Sequence, residues 1–140
     1  VDIVKELAPD LPCIEADPNL LKQAFINVLQ NAFEAMPERG TLTLRSWRHG
    51  ATGMLAVGIS DTGPAIPPQI ISKMFEPFYT TKLDRTGLGL SITHRIVTEH
   101  GGFINVNSDE DGTRVHIYLP VIIEKPDVLE TAQQQILNLQ

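Results

Sequence analysis

The chain of 140 residues is 42% apolar and 20% charged, which is ordinary for one globular domain with a packed core. No apolar run approaches the roughly 20 residues that cross a membrane, and a net charge of −6 with dispersed cations argues against nucleic acid as the main partner. The single cysteine, Cys13, cannot form an internal disulfide, which suits a reducing cytoplasm.

The first part of the chain predicts a short strand and one long helix. Ile3 and Val4 favour the strand, and a connection interrupted by prolines follows it. Asp17 suits the N-cap of the helix and Pro18 its first position, and apolar residues recur at helical spacing as far as Met36.

The middle of the chain predicts two strands and a short helix. Residues 41–48 alternate in the manner of a strand, and residues 54–60 are largely apolar on both faces, as in a central strand. Residues 61–64 (DTGP) are expected to break that strand. A short helix is expected over residues 67–74.

The last part predicts a helix over residues 88–100 and two strands over residues 103–108 and 113–119. We expect one domain over residues 1–122 and a C-terminal tail over 123–140. In a helical tail the apolar residues would share one stripe, namely Val128, Leu129, Ala132, Ile136 and Leu139. A frayed tail, a docking helix and a linker are all compatible with this pattern.

The long predicted helix carries two asparagines and a glutamate on one side. Successive helical residues turn by about 100°, so Asn31 lies about 40° from Asn27, and Glu34 about 20° from it in the other direction. The main apolar face lies opposite. A solvated polar face explains this pattern, but amide oxygens one turn apart also suit a hard cation such as Mg²⁺, which commonly bridges substrate phosphates.

Residues 75–91 (FEPFYTTKLDRTGLGLS) join an aromatic-proline box to a basic, threonine-rich loop that ends in two glycines. Glycine amides and a helix N-terminus can hold phosphates, and Lys82 and Arg85 add positive charge there. Taken alone, such glycines more often form an ordinary turn into a helix.

The order of these signals resembles the ATP-binding catalytic domain of a sensor histidine kinase, in the superfamily that also holds gyrase-type ATPases and MutL. The resemblance covers about residues 10–120 and depends most on FEPFYTTK followed by TGLGLSI. It implies an α/β fold, a two-layer sandwich in which a mixed, mostly antiparallel sheet packs on three helices. It also implies that ATP lies between the helices and a mobile lid.

The resemblance assigns roles to individual residues. Asn31 would coordinate Mg²⁺, Asn27 would assist it, and Lys82 would contact the phosphates. Asp61 would accept a hydrogen bond from the adenine amino group, supported by Thr113 through an ordered water. The catalytic set is therefore Asn27, Asn31 and Lys82. The nucleotide-binding set is Asn27, Asn31, Glu34, Asp61, Gly63, Ala65, Ile66, Phe78, Tyr79, Thr80, Thr81, Lys82, Arg85, Thr86, Gly87, Leu88, Gly89, Leu90 and Thr113.

Two residues depart from the family pattern. Ala65 stands where the pattern Asp-x-Gly-x-Gly has its second glycine, and its Cβ disfavours a left-handed backbone by about 1 kcal/mol. Arg85 stands where the lid often has another glycine. Both bear on nucleotide affinity more than on the fold.

The resemblance implies transfer of the ATP γ-phosphoryl group to a histidine. The four histidines of this chain lack the acidic residue and proline that follow the acceptor in that family, so the acceptor is expected on a separate dimerisation domain. A response regulator would be the further partner, and the cytoplasm the location, either free or as part of a membrane-bound sensor. ATP-hydrolysing relatives carry a glutamate where Asn27 stands, so hydrolysis should be slow. Glu34 is the alternative base.

Other classes of protein share parts of the pattern. Asp61-Thr62-Gly63 after an apolar strand also fits an aspartic protease, which would have to dimerise, but the long helix argues against that class. A degenerate binding module without chemistry and an anti-sigma-factor serine kinase stay open. P-loop ATPases are excluded because the chain has no Gly-Lys-Ser/Thr.

Overall fold

The structure is a computed structural model that describes residues 1–73 and 89–122. Within these ranges it contains five strands and three helices. They are β1 (Asp2–Leu7), α1 (Pro18–Ala35), β2 (Thr41–Arg48), β3 (Leu55–Asp61), α2 (Pro68–Ile71), α3 (Gly89–Glu99), β4 (Phe103–Asp109) and β5 (Gly112–Leu119).

Most element bounds agree with the sequence-based expectation to within one or two residues. Two differ in ways that matter. The helix α2 ends at Ile71, so it is shorter than the expected 67–74. Strand β3 continues through Asp61, which was expected to begin the break after the strand. Asp61 is therefore fixed by the hydrogen-bond ladder of the sheet rather than by a loop.

The sheet has the order β1-β2-β3-β5-β4. Strand β1 runs parallel to β2, and the other three pairings are antiparallel. This confirms the mixed, mostly antiparallel sheet, and it places β3 at the centre, as its apolar faces indicated. Strands β1 and β4 form the two edges.

Helices α1 and α3 form one layer on one face of the sheet. Helix α1 packs on β3 and on α3, while α3 packs on β4 and β5. The core between the layers contains Val28, Leu42, Val97, Ile117 and Leu119, each at most 2% exposed. At about 25 cal/mol per Å² of buried apolar surface, such side chains supply the main stabilisation of the sandwich.

Local signals in the sequence explain where α1 begins. The Asp17 side chain caps the helix, because its Oδ1 accepts hydrogen bonds from the Asn19 N–H at 2.9 Å and the Leu20 N–H at 3.2 Å. Pro18 occupies the first turn, where its missing N–H is not needed. None of the described helices is long and apolar enough to span a membrane.

The other face of the sheet carries a layer of aromatic side chains. Trp47 contacts His116 edge to face with a centroid distance of 5.3 Å, and Tyr118 stacks on Phe103 at 4.5 Å. Gly58 lies beneath them. A Cβ there would lie 3.1 Å from Trp47 Cζ3, so the glycine leaves room for the indole. These rings cover the sheet where no described helix does.

Candidate functional site

Asp61 lies at the end of the central strand, opposite Thr113 of β5. Its Oδ1 accepts a hydrogen bond from the Gly63 N–H at 2.9 Å. Partial burial raises the pKa of the Asp61 carboxyl above its ordinary value, although the backbone N–H groups of Gly63 and Thr113 act in the opposite direction. A half-buried acceptor held by backbone donors is well suited to receive one more donor from a ligand.

Two glycines allow the chain to approach Asp61 closely, Gly63 at its carboxylate and Gly112 at its backbone carbonyl. Gly63 is buried, and a Cβ on it would lie 2.8 Å from the Ala35 Cβ and 3.0 Å from Asp61 Oδ1. Gly112 has a φ of +129°, and a Cβ on it would collide with the Asp61 carbonyl oxygen. Larger residues at either position would push the end of α1 or the β4–β5 turn away from Asp61.

Ser108, a residue that no sequence motif indicated, connects three parts of the site. Its Oγ accepts a hydrogen bond from the Ile66 N–H at 2.8 Å and shares another with Thr113 Oγ1, also at 2.8 Å. Thr113 was expected to support Asp61 through water. Its hydroxyl contacts Ser108 and its backbone N–H is directed at the Asp61 carboxylate, and its role through an ordered water stays a prediction.

Asn31 contributes an unsatisfied buried acceptor. Its Oδ1 is buried and has no hydrogen-bond partner in the part of the chain that the structure describes. A buried amide oxygen without a partner is costly, so such an atom points to a ligand that completes it. Asn27, on the same side of α1, is half-buried, whereas Glu34 is exposed.

The two halves of the site lie at the same end of the molecule. Ala35 of α1 approaches the Gly63 position at the distances given above, and Asn31 precedes Ala35 by about one helical turn, or roughly 6 Å along the axis. The fold therefore places Asn31 about one helical turn from the residue of α1 that contacts the Gly63 position.

The Asn31 amide oxygen suits a magnesium ion whose other ligands are waters and phosphate oxygens. Within residues 1–73 and 89–122, no three His, Cys, Asp or Glu side chains cluster as a metal cage. A single amide oxygen would be joined by waters and phosphate oxygens around Mg²⁺, because this ion keeps several waters and rarely uses all-protein cages. Asn31 is the residue that would hold it.

Many expected nucleotide contacts lie outside the described residues. These are Phe78, Tyr79, Thr80, Thr81, Lys82, Arg85, Thr86, Gly87 and Leu88. Gly89 begins α3. The Leu90 side chain is 7% exposed and packs in the core, so only its backbone is left for a nucleotide. Ala65 is exposed and Ile66 is half-buried.

A cleft of about 750 Å³ lies elsewhere, at the end of the sheet opposite Asp61. Glu15, Asp17 and Glu99 line it, together with the chain after β5. Three carboxylates around one opening repel a polyphosphate. The end of the sheet that carries Asp61 and Asn31 is therefore the better candidate for a nucleotide.

Comparison with known families finds a match over most of the chain. Residues 16–123 match the family described as histidine kinase-, DNA gyrase B-, and HSP90-like ATPase. The chain is 41% identical over 122 residues to sporulation kinase E of Bacillus subtilis (strain 168), covering 86% of this chain and 16% of that protein. It is also 41% identical over 108 residues to the signal transduction histidine-protein kinase AtoS of Escherichia coli (strain K12), covering 77% of this chain and 18% of that protein. The chain thus spans less than a fifth of the length of these relatives.

Solved structures share the fold. The mycobacterial sensor histidine kinase MprB superposes with a TM-score of 0.76 at 32% identity, covering 86% of this chain and 81% of that one. Full-length ShkA in complex with AMPPNP gives 0.75 at 30% identity, covering 86% and 25%. Histidine kinase ThkA in complex with the response regulator protein TrrA gives 0.73 at 36% identity, covering 89% and 35%. These similarities confirm the α/β sandwich that the sequence predicted.

Proposed function

The chain belongs to the family of histidine kinase-, DNA gyrase B-, and HSP90-like ATPases, and we propose that it binds Mg²⁺-ATP at the site between Asp61 and Asn31 as the catalytic domain of a sensor histidine kinase. The observation that carries the proposal is the presence of two oxygen acceptors, Asp61 and Asn31, at one end of the sandwich. Asp61 is half-buried at the end of the central strand, and Asn31 has a buried oxygen without a partner among the described residues.

Asp61 would select adenine. An ionised carboxylate only accepts hydrogen bonds, so it favours the exocyclic amino group of adenine over the carbonyl oxygen of guanine. Gly63 leaves space beside the carboxylate, and Ser108 holds the loop at Ile66 against β4. The base would therefore meet an acceptor whose position is fixed before binding, which lowers the entropy cost of recognition.

Asn31 would hold Mg²⁺, which offsets phosphate charge in this acidic domain. The phosphates would extend from the Asp61 loop along α1, and Asn27 would assist on the same side of the helix. We place the lid between the short helix α2 and α3, with Lys82, Arg85, Thr86 and the amides of Gly87–Gly89 reaching the phosphates. Phosphoryl transfer depends mainly on such positioning and charge neutralisation.

The reaction we propose is transfer to a histidine outside this chain, followed by passage to a response regulator. ThkA, a similar protein, has been crystallised with its response regulator protein TrrA. Asn27 is an amide and cannot act as the base that activates water, so transfer should exceed hydrolysis. The acceptor histidine, its dimerisation domain and a cytoplasmic location all belong to the proposal.

Titration calorimetry with a non-hydrolysable ATP analogue, with and without Mg²⁺, tests the site. Asn31→Ala should weaken binding about tenfold in the presence of Mg²⁺, which corresponds to about 1.4 kcal/mol, and should remove most of the metal effect. Gln30→Ala is the matched control, because Gln30 is exposed on the same helix and its loss should change neither quantity.

Two results would contradict the proposal. Equal affinity for the adenine and guanine analogues would show that Asp61 does not select adenine. Absence of nucleotide binding by the unaltered chain would favour a degenerate module without chemistry. Ala65→Gly, which restores the glycine of the family pattern, would then be the first substitution to make.

A further inference from the structure

Strand β1 extends beyond the helical layer and leaves apolar side chains uncovered on the helix side of the sheet. Its register pairs Ile3 with Leu42 and Leu7 with Ser46, and paired residues of neighbouring strands point to the same face. Leu42 is in the core at 1% exposed, so Ile3 and Leu7 point to the helix side. They are nevertheless 52% and 58% exposed. Among the described helices, none covers them.

Helix α1 provides a second apolar wall beside β1. Leu29 is half-buried against the core, whereas Ile26 and Phe33, which lie about 60° and 40° further around the helix, are 41% and 40% exposed. Helix α3 lies on the other flank, where the Thr93 hydroxyl donates to the Ala24 carbonyl oxygen at 3.1 Å. Ile26 and Phe33 therefore face the side on which β1 lies. We call the surface between Ile3, Leu7, Ile26, Leu29 and Phe33 the side groove.

Cations border the side groove. Lys22 lies about 20° from Leu29 around α1 and is exposed. Lys5 lies between Ile3 and Leu7 on the same face of β1 and is also exposed. The acidic Glu6 points to the opposite face of the sheet, where it pairs with Arg45 at 3.1 Å. An occupant that is apolar on one side and acidic overall would match this surface.

We propose that the C-terminal segment of this chain, residues 123–140, docks in the side groove as an amphipathic helix. Its apolar residues from Val128 to Leu139 share one stripe in helical geometry. It contains three acidic residues and one lysine, which complements Lys5 and Lys22. This proposal does not depend on nucleotide binding.

The lengths agree. Residues 128–139 in helical form span about 17 Å, which equals the distance along α1 from Lys22 to Phe33 at the same rise per residue. The six residues of β1 span about 20 Å. The helix would therefore lie along both walls without a large overhang.

The position at which the segment leaves the described chain also agrees. The Ile122 N–H donates to the Cys13 carbonyl oxygen at 2.8 Å. Cys13 lies in the connection that runs from the end of β1 to the start of α1, and these two elements form the walls of the side groove. Residues 123–127 can extend by up to about 17 Å, which is enough to enter it.

The cleft near the same exit is a poorer place for this segment. It is lined by Glu15, Asp17 and Glu99, and an acidic segment would be repelled there. The side groove instead offers apolar walls together with lysines. Charge therefore distinguishes the two surfaces.

A double-mutant cycle in the full chain tests the docking. Ile26→Glu and Ile136→Glu each remove one side of the contact, and their effects on the unfolding equilibrium constant should be coupled by about tenfold. Gln134→Glu is the matched control, because Gln134 lies opposite the stripe, and its effect should add to that of Ile26→Glu. Hydrogen exchange provides a second readout, in which Ile136→Glu should accelerate exchange in β1 and Gln134→Glu should not.

Additive effects of Ile26→Glu and Ile136→Glu, with unchanged exchange in β1, would overturn the proposal. Coupling that grows with protein concentration would also overturn it, because the side groove would then accept the segment of a second copy. Coupling that is independent of concentration supports docking within one chain.

Discussion

At the scale of single residues, Ser108 holds the proposed base site together. Its hydroxyl accepts from the Ile66 N–H and contacts the Thr113 hydroxyl, so one small side chain ties the loop after β3 to the β4–β5 hairpin. Thr113 is 4% exposed, and a polar group at that depth needs its partner. Asp61, which lies opposite Thr113, therefore depends on Ser108 for the fixed position of its surroundings.

Ser108→Ala should destabilise the fold and weaken nucleotide binding together. It leaves the Ile66 N–H and the Thr113 hydroxyl without their partner, and an unsatisfied buried group costs about 1–3 kcal/mol. Urea unfolding measures the first effect and analogue titration the second. Ser72→Ala is the control, because the Ser72 hydroxyl is exposed and contacts only the Gln69 carbonyl oxygen among the described residues. A destabilised Ser108→Ala that binds with unchanged affinity would show that Ser108 has no role in positioning the site.

The residues that could be predicted are those whose chemistry is local in sequence. Asn31 is indicated by two amides on one helical face, and Asp61 by the resemblance of residues 61–65 to the family pattern Asp-x-Gly-x-Gly, so both can be proposed from short windows of sequence. Ser108 was missed because its partners are 42 and 5 residues away, and only the register of β4 on β5 brings its hydroxyl to Thr113 and Ile66. The register of β4 on β5 is the feature that identifies Ser108.

At the scale of elements, His100 joins the two long helices. Its Nε2 accepts a hydrogen bond from the Asp17 N–H at 3.1 Å, and its Nδ1 lies 2.7 Å from the Ile96 carbonyl oxygen, to which it donates. The proton must therefore be on Nδ1. This contact fixes the C-terminal end of α3 to the residue that caps α1. The relative position of the two helices determines how α1 presents Asn31.

His100→Leu should lower the free energy of unfolding by about 1–3 kcal/mol, because both hydrogen bonds are lost. His100→Gln should recover part of that loss, since an amide offers one donor and one acceptor. Thermal or urea unfolding of the three proteins checks the order. Equal stability of the leucine and glutamine variants would mean that the ring contributes by packing alone.

The bounds of an element are predictable where they depend on a local cap or on local alternation of apolar residues. They are less predictable where they depend on pairing with a distant strand. Asp17 and Pro18 located the start of α1, and the structure confirms it. Ile3 and Val4 indicate a short strand in the sequence, and pairing with β2 extends that strand over six exposed residues. Nothing in Asp2–Leu7 alone indicates its parallel partner, which lies more than thirty residues away.

At the scale of the whole molecule, each face of the sheet carries a titratable group, and folding shifts the pKa values of the two groups in opposite directions. Asp61 lies on the helix side, and burial raises the pKa of its carboxyl. His116 lies on the aromatic side, where burial and the cations Arg45 and Arg114 lower its pKa. The folded state therefore binds a proton more tightly than the unfolded state at Asp61, and less tightly at His116.

The pH dependence of stability should show both effects. As pH falls below the ordinary histidine value of about 6.5, the unfolded state gains a proton at residue 116 before the folded state does, so the free energy of unfolding should decrease. As pH rises above the ordinary aspartate value of about 3.9, the unfolded state loses its proton at residue 61 before the folded state does. The free energy of unfolding should therefore decrease with rising pH in this range, whereas the histidine effect decreases it with falling pH.

Urea unfolding across pH in three proteins separates the two groups. His116→Gln should flatten the decrease below about pH 6.5, and Asp61→Asn should flatten the change that begins near pH 4. Comparison of slopes is needed, because His116→Gln also loses its contact with Trp47 and so changes stability at every pH. The Asp109 carboxyl, whose pKa is lowered by Arg114, adds the same background to all three proteins. An unchanged slope near pH 6 in His116→Gln would show that His116 titrates alike in both states, and that burial on the aromatic face does not disfavour its charge.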